Sequence, residues 1–330
     1  MDINCKMDLN CKTDVVALGE LLIDFTVNGK SDQGNLMFEA NPGGAPCNVL
    51  AMLNKLGKKT AFIGKVGQDM FGNILKNTLE EIKIGTSNLM MDNGCNTTLA
   101  FVRTTGDGDR EFSFYRKPGA DMMLSEEEVN ENLIGNSKIF HFGTLSMTDE
   151  GVRKATKRAI NCARKNGLLI SFDPNLRPPL WRSLNEAKEQ ILYGLTQCDI
   201  LKIAEEELEF VTDIKDIEKG VKYLKENFDM QLILVTMGKK GSRAFYKDLI
   251  VQKDTFNQLK AVDTTGAGDT FCGCVLNYVL EYGIGNFNEK LLEEMLVFSN
   301  AAASIVTTRK GAIRSMPDKS EVLKLVSQYC

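Results

Sequence analysis

The chain is 330 residues long, 43% hydrophobic and 25% charged, with a net charge of −4 at pH 7. That length admits one large α/β domain or two smaller ones, and the composition is ordinary for a soluble globular protein. The acidic balance excludes broad electrostatic attraction to nucleic acid or anionic membrane, and no apolar run reaches the length of a membrane span. No charged-then-apolar signal peptide opens the chain. Its nine cysteines are scattered without a C-x-x-C pair, which reads as free thiols in a reducing cytoplasm. The single histidine, His141, excludes multi-histidine zinc sites and sits in an apolar strand, where a satisfied core position is the plain reading.

Taken in order, the chain opens on MDINCK followed by MDLNCK. This repeat is read as a disordered extension of residues 1–13 or a duplicated start, without function. Asp14 to Leu18 reads as a buried strand, and Leu21 to Phe25 continues extended with Asp24 alone among apolar residues. That acid is either an exposed edge position or a polar anchor for a small ligand. NPGGAPCN, Asn41 to Asn48, precedes a helical pattern at Val49, Leu50, Met52, Leu53 and Leu56. Gly43 and Gly44 there would allow close backbone approach to a ligand, and Asn48 could bond hydroxyls; a plain helix start is the competitor. Thr60 to Val66 is a strand, and Asp69 caps a helix through Leu79.

Strands Thr98–Arg103 and Glu111–Arg116 flank Thr105-Gly106-Asp107-Gly108, a hairpin signature. A hairpin is foreign to a doubly wound parallel sheet, so this one is expected outside it, as a flap. From Lys138 the chain alternates: strand Lys138–Phe142, helix Glu150–Lys165, strand Leu168–Phe172, helix Asn185–Leu195 and strand Asp199–Ile203. Helices around Glu206 and at Ile217–Asn227 follow, then strands Gln231–Val235, Ser242–Tyr246 and Leu249–Val251, with a last helix from Asp318 to Tyr329. Such alternation predicts a mainly parallel sheet with helices on both faces, and ligands beyond the carboxyl ends of its strands. Asp173-Pro174-Asn175-Leu176-Arg177, Thr236-Met237-Gly238 and Asp263 to Asp269 fall at those ends. No linker divides the chain.

The stretch Val262 to Gly273, VDTTGAGDTFCG, organises the rest. A β-like approach, Gln258 to Val262, runs into Gly266-Ala267-Gly268 and a helical pattern from about Asp269. Two glycines let successive amides converge, and a helix N-terminus with unpaired N–H groups is an anion site. Asp269, in the first turn, can cap the helix and face that anion. A carboxylate beside a phosphate makes sense as the acceptor of a proton from an attacking hydroxyl. The competing reading is a capped helix after a glycine turn. Phe271 at the sixth position breaks the dinucleotide fingerprint, and no G-x-x-x-x-G-K-[ST] occurs anywhere in the chain.

With GGAPCN (Gly43–Asn48) near the start and DTTGAGDTFCG (Asp263–Gly273) near the end, the chain resembles the ribokinase-like (PfkB) carbohydrate kinases over nearly all of its length after residue 13. FDPNLRPPLW (Phe172–Trp181) and FYRKPGADM (Phe114–Met122) look like fructokinases. The resemblance implies a three-layer α/β/α kinase domain over residues 14–330, with a mostly parallel central sheet and a small β lid from about Leu21–Glu39 and Cys95–Pro118. By position, Asp269 matches the catalytic base, and Gly266, Ala267 and Gly268 match the anion hole. Asp24, Gly43, Gly44 and Asn48 match sugar contacts, Phe101 and Arg116 match lid residues closing over the sugar, and Asn175 and Arg177 face substrate and phosphate. Thr236, Gly238 and Gly241 match the nucleotide loop, although the two glycines could merely turn a hairpin; Asn300 and Ala303 match the adenine-pocket helix. Glu207 matches the acid that holds Mg²⁺ through water, but its usual polar companion is Ala204 here. Asp263, Thr265, Val306, Gly311 and Ser315 match a loop for a monovalent cation such as K⁺.

The activity so implied is transfer of phosphate from ATP, with Mg²⁺, to D-fructose, giving fructose 6-phosphate, in a homodimer paired through the lid. Alternatives are a kinase of 2-keto-3-deoxygluconate, ribose or a nucleoside and, from another class, a sugar sensor without catalysis. An acid sugar would want more cationic groups at the lid than Arg116 and Arg177, and a nucleoside would want an aromatic clamp.

Overall fold

The computed structural model describes residues 13–104 and 110–329, so the hexapeptide repeat and the turn at 105–108 lie outside the described residues. In chain order the first half runs β1 (Thr13–Leu18), β2 (Leu22–Lys30), β3 (Leu36–Gly43), α1 (Ala45–Lys55), β4 (Thr60–Gly67), α2 (Met70–Glu81), β5 (Gly85–Asp92), β6 (Leu99–Thr104) and β7 (Arg110–Tyr115). After it come α3 (Glu131–Gly135), β8 (Ser137–Gly143), α4 (Glu150–Lys165), β9 (Leu169–Asp173), α5 (Leu184–Leu195), β10 (Ile200–Ala204), α6 (Glu205–Thr212) and α7 (Ile217–Asn227). The chain closes with β11 (Leu232–Thr236), β12 (Ser242–Tyr246), β13 (Leu249–Lys253), α8 (Ala267–Tyr282), α9 (Glu289–Val306) and α10 (Lys319–Tyr329).

Nine strands form one sheet in the order β13-β12-β11-β10-β9-β8-β1-β4-β5, parallel except for the antiparallel pairs at β12 and β13. Its strands read as continuous apolar runs because both faces are covered. Val15, Ala17, Ile139 and Ile200 point into one core with α1, α8 and α9. The alternate residues Val16, Leu18, Phe140, Phe142, Phe172 and Leu201 point into a second core with α4, α5 and α7. Period-2 alternation therefore decides which helix layer each strand residue meets. The helix caps follow the chemistry of their residues: Asp69 accepts from the Gly72 N–H at the start of α2, as predicted, and Asp149 accepts from the Gly151 N–H at the start of α4.

The β6–β7 hairpin lies outside the large sheet, as expected, in a four-stranded sheet of order β3-β2-β6-β7. Two strands fall where the chain-order reading assigned none, although the first overlaps the expected lid segment Leu21–Glu39. β3 is an edge strand whose Leu36, Met37 and Phe38 are exposed, and β5 closes one edge of the large sheet with a register shift against β4. Neither carries a clean alternation. A third difference runs the other way: Gln258 to Val262 forms no strand. Both the Val262 and the Asp263 N–H groups donate to Thr307 O at the end of α9, so this approach is bonded to a helix terminus and not to a ladder. Among the described residues, no helix is long and apolar enough to cross a membrane.

Candidate active site

The carboxyl ends of β9, β10 and β11 and the start of α8 meet on one rim of the large sheet. Gly266 precedes α8 in the left-handed region at φ 78°, and a Cβ there would lie 2.7 Å from Ala312 Cβ, so the turn requires glycine twice over. The amides of the first turn have no carbonyl one turn back within the helix, although Ala267 N–H reaches Thr264 O at 3.3 Å. Asp269 does not cap the helix, contrary to expectation: the cap position is Gly266, with no side-chain cap bond. Instead its carboxylate turns inward, 9% exposed, and accepts a 2.7 Å bond from Asn48 Nδ2 across the α1–α8 interface. Burial, reinforced by the negative charge of Asp173, lifts its pKa to about 6 against the opposing pull of Asn48, Lys202 and Arg177. Asn48 Oδ1 is buried without a hydrogen-bond partner, an acceptor that a ligand hydroxyl would satisfy.

Beneath this carboxylate lies a group that residue spacing did not reveal. Lys202 on β10 is 7% exposed, with Nζ 3.1 and 3.2 Å from the two oxygens of Asp173 at the end of β9. Ile200 is paired with Ser171 and Leu201 with Phe172, and the next step of that register sets Lys202 beside Asp173. The alternation in Ile200-Leu201-Lys202-Ile203 could have shown it, since it puts a lysine on a face that is otherwise core. His141, paired with Ser171 on the same face, is a satisfied core residue: its Nδ1 lies 3.0 Å from Ser171 Oγ, and burial lowers its pKa to about 3.

Glu207 ties two loops together, accepting from Leu176 N–H at 2.7 Å and Ala204 N–H at 2.9 Å. Burial raises its pKa, Lys202 opposes and Asp173 adds to the rise. Ala204 contributes only backbone, so the polar side chain expected three residues earlier is absent. Asn175 has φ 45° and bonds Asp173 Oδ1 through its N–H; Arg177, half-buried, bonds Leu176 O and is close enough to lower the Asp269 pKa.

On the other bank, Asp24 sits on β2. A Cβ on Gly43 would run into Asp24 Oδ2, and one on Gly44 would overlap Glu20 O. These glycines are therefore needed by the protein's own packing around Asp24 and Glu20, a different reason from the ligand approach expected of them. Register separates two residues expected to act together. Asp24 is paired with Ala100, whereas Phe101 is paired with Phe25 and stacks on it at 4.9 Å, on the opposite face of the small sheet. Arg116, expected to close over a sugar, is engaged within the protein. It is 5% exposed, and its Nε, Nη1 and Nη2 donate to Asp121, Thr148 and Leu145 O, each at 2.8 Å.

Thr236 ends β11, and Gly238 and Gly241 turn the β11–β12 hairpin, where Met237 N–H bonds Gly241 O. Asn300 on α9 accepts from Ser242 Oγ and donates to Lys253 O and Asp254 O, fastening that hairpin to the helix; Ala303 lies one turn on. Asp263 accepts from the N–H groups of Thr265 and Gly311, closing a loop that also holds Val306 and Ser315, whose Oγ donates to Lys310 O. Among the described residues, no group of three or more His, Cys, Asp or Glu could hold a metal ion.

The model of the pfkB family carbohydrate kinases matches residues 12–319. Fructokinase-1 of Zea mays is 43% identical over 316 residues, covering 95% of this chain and 98% of its own. The crystal structure of a fructokinase with bound ATP from Xylella fastidiosa superposes with a TM-score of 0.85 at 29% identity, covering 96% of this chain and 98% of its own. A fructokinase from Vibrio cholerae O395, a double mutant solved in a fructose, ADP and potassium ion bound form, gives a TM-score of 0.84 at 27% identity, over 95% of this chain and 98% of its own. With both signature stretches meeting at the Asn48–Asp269 contact and the match running almost end to end, the chain belongs to the pfkB family of carbohydrate kinases.

Proposed function

We propose that the chain transfers the γ-phosphoryl group of ATP to the primary hydroxyl of D-fructose, yielding ADP and fructose 6-phosphate. The observation that carries this reading is the buried Asn48–Asp269 pair: a carboxylate lifted to a pKa of about 6, beside a glycine turn at a helix N-terminus and next to an unsatisfied acceptor. Sugar hydroxyls lie between Asp24 and Asn48, and the triphosphate runs from the β11–β12 hairpin toward Gly266, Ala267 and Gly268. Asp269 takes the proton of the attacking hydroxyl, the oxygen–phosphorus bond forms in line, and the bond to the bridging oxygen of ADP breaks. Asn175 and Arg177 border the path, where the guanidinium offsets charge on the phosphoryl oxygens.

Mg²⁺ fits this site as a companion of the nucleotide, since a half-buried Glu207 is present but, among the described residues, no three-ligand cage. Glu207 would hold it through water, and when bound it neutralises charge on the transferring phosphate. The Asp263–Gly311 loop, with Thr265, Val306 and Ser315, is the candidate place for K⁺, and Gly238, Gly241, Asn300 and Ala303 border the nucleotide. Residues 14–330 act as one kinase domain, with the small sheet closing over the sugar to exclude water as a competing acceptor. Free cysteines suit a reducing compartment, and we place the protein in the cytoplasm.

Incubating the chain with ATP, Mg²⁺ and a panel of sugars tests the reaction. ADP release should be fastest with fructose, and a faster rate with ribose, 2-keto-3-deoxygluconate or a nucleoside would reassign the substrate. The lid also supports a homodimer. The face turned away from Asp24 carries the Phe25, Phe38, Phe101 and Tyr115 rings, with Phe38 42% and Tyr115 66% exposed. An apolar patch of this kind on a sheet face is a pairing surface. Sedimentation at assay concentration should give the mass of two chains; a single-chain mass would count against it.

A further inference from the structure

We propose that Lys202 is a catalytic residue: its ammonium, stored on Asp173 beneath the Gly266–Gly268 turn, contacts the phosphoryl group during transfer.

Three observations lead there. Lys202 occupies a strand position on the core face, between Ile200 and Ala204, where a charge is expensive unless it is matched. It is matched more than once. Burial on its own would lower the lysine's pKa, yet the carboxylates of Asp173, Glu207 and Asp269 more than reverse this and hold it protonated. One buried lysine set among three acids, with the half-buried Arg177 also near Asp269, still leaves negative charge in excess, so as a purely structural pair the arrangement is poorly balanced. Finally, the ammonium reaches the anion turn itself. A Cβ built on Gly268 would come 3.0 Å from Lys202 Nζ, which sets the ammonium directly against that turn. A compact point charge on a flexible stem can swing from a carboxylate to a phosphoryl oxygen without changing its protonation.

During transfer the proton of the sugar hydroxyl goes to Asp269, the phosphoryl group passes to the hydroxyl oxygen, and Lys202 keeps its own proton. The rival account is that Lys202 only neutralises Asp173. A double-mutant cycle separates them. Lys202→Met is compared with wild type, and Asp173→Asn/Lys202→Met with Asp173→Asn. Contact with the phosphoryl group predicts a fall in kcat of roughly 10²–10³, as for loss of one oxyanion donor, in both backgrounds, with the sugar KM within about twofold. Charge neutralisation predicts that the fall disappears once Asp173 is Asn.

Thermal unfolding accompanies each variant. Should Lys202→Met fail to fold, the Asp173→Asn pair carries the test, because there the one carboxylate in direct contact with Lys202 is gone. Lys202→Arg should recover part of the lost kcat, since a cation is restored. A fall in kcat below about threefold in the Asp173→Asn background, or no recovery with arginine, overturns the inference. The inference rests on the phosphotransfer reading, and the two fail separately. A wild-type chain with no turnover on any sugar sinks the kinase reading, whereas an active wild type with an unaffected cycle sinks Lys202 alone.

Discussion

Asp269→Asn is expected to cut kcat with fructose by roughly 10²–10⁴, the usual contribution of a general base, and at the same time to make the folded protein more stable at pH 8. The two effects share one cause. The carboxylate is buried beside Asp173, and its folded pKa of about 6 lies above the ordinary 3.8. The native state thus holds this proton more tightly than the unfolded chain, the reverse of a salt-bridged aspartate. Stability therefore falls as pH rises from about 4 to 6, and above that window the ionised group costs on the order of 3 kcal/mol. Asparagine removes that cost while Asn48 Nδ2 keeps an acceptor. Calorimetry at pH 8 should show a rise in Tm of a few degrees, diminishing toward pH 4. In wild type, kcat/KM should fall tenfold per unit below about pH 6, a limb that the variant lacks. Wild-type turnover, or a lowered Tm at pH 8, would remove Asp269 from the role of base.

How far the sequence reached depended on what kind of pattern carried each feature. The parallel alternation from Lys138 onward was legible because long helices and apolar strands repeat their own periods; α4 and α7 coincide with the spans read from spacing. Asn48 and Asp269 were legible because each lies in a glycine-marked helix start, yet their direct bond, spanning 221 positions, is a property of packing alone. Lys202 was missed for the opposite reason. No glycine or turn flags it, and only the two-residue period of β10, set against the register with β9, exposes a charge facing the core. The failed strand at Gln258–Val262 shows the limit of local reading, because its last amide, Val262 N–H, and the next, Asp263 N–H, found a partner in Thr307, at the far end of α9.

Arg116→Leu is expected to destabilise the fold by about 3–5 kcal/mol, the penalty for leaving one member of a buried ion pair alone, and to raise the sugar KM. The guanidinium follows β7, and its partner Asp121 sits in the 3₁₀ turn Ala120–Met123 on the body of the domain, with Nη2 2.7 Å from Asp121 Oδ2. Thr98 Oγ1 donates to the other Asp121 oxygen, and Thr98 O accepts from Ile23 N–H in β2. One buried cluster thus fixes the points where β6 and β7 leave the body, and through Ile23 it touches β2 as well. Loosening it should misplace the small sheet that bears Asp24. Since every guanidinium nitrogen already donates to protein, the effect on the sugar is indirect. Arg116→Leu combined with Asp121→Leu tests this, because apolar residues can replace a buried pair with little loss. If the cluster is an anchor, the double variant regains most of the stability and most of the sugar affinity together. If Arg116 instead touched the sugar, stability would return while KM stayed high, and chemical denaturation run beside initial-rate kinetics on the same preparations distinguishes the two.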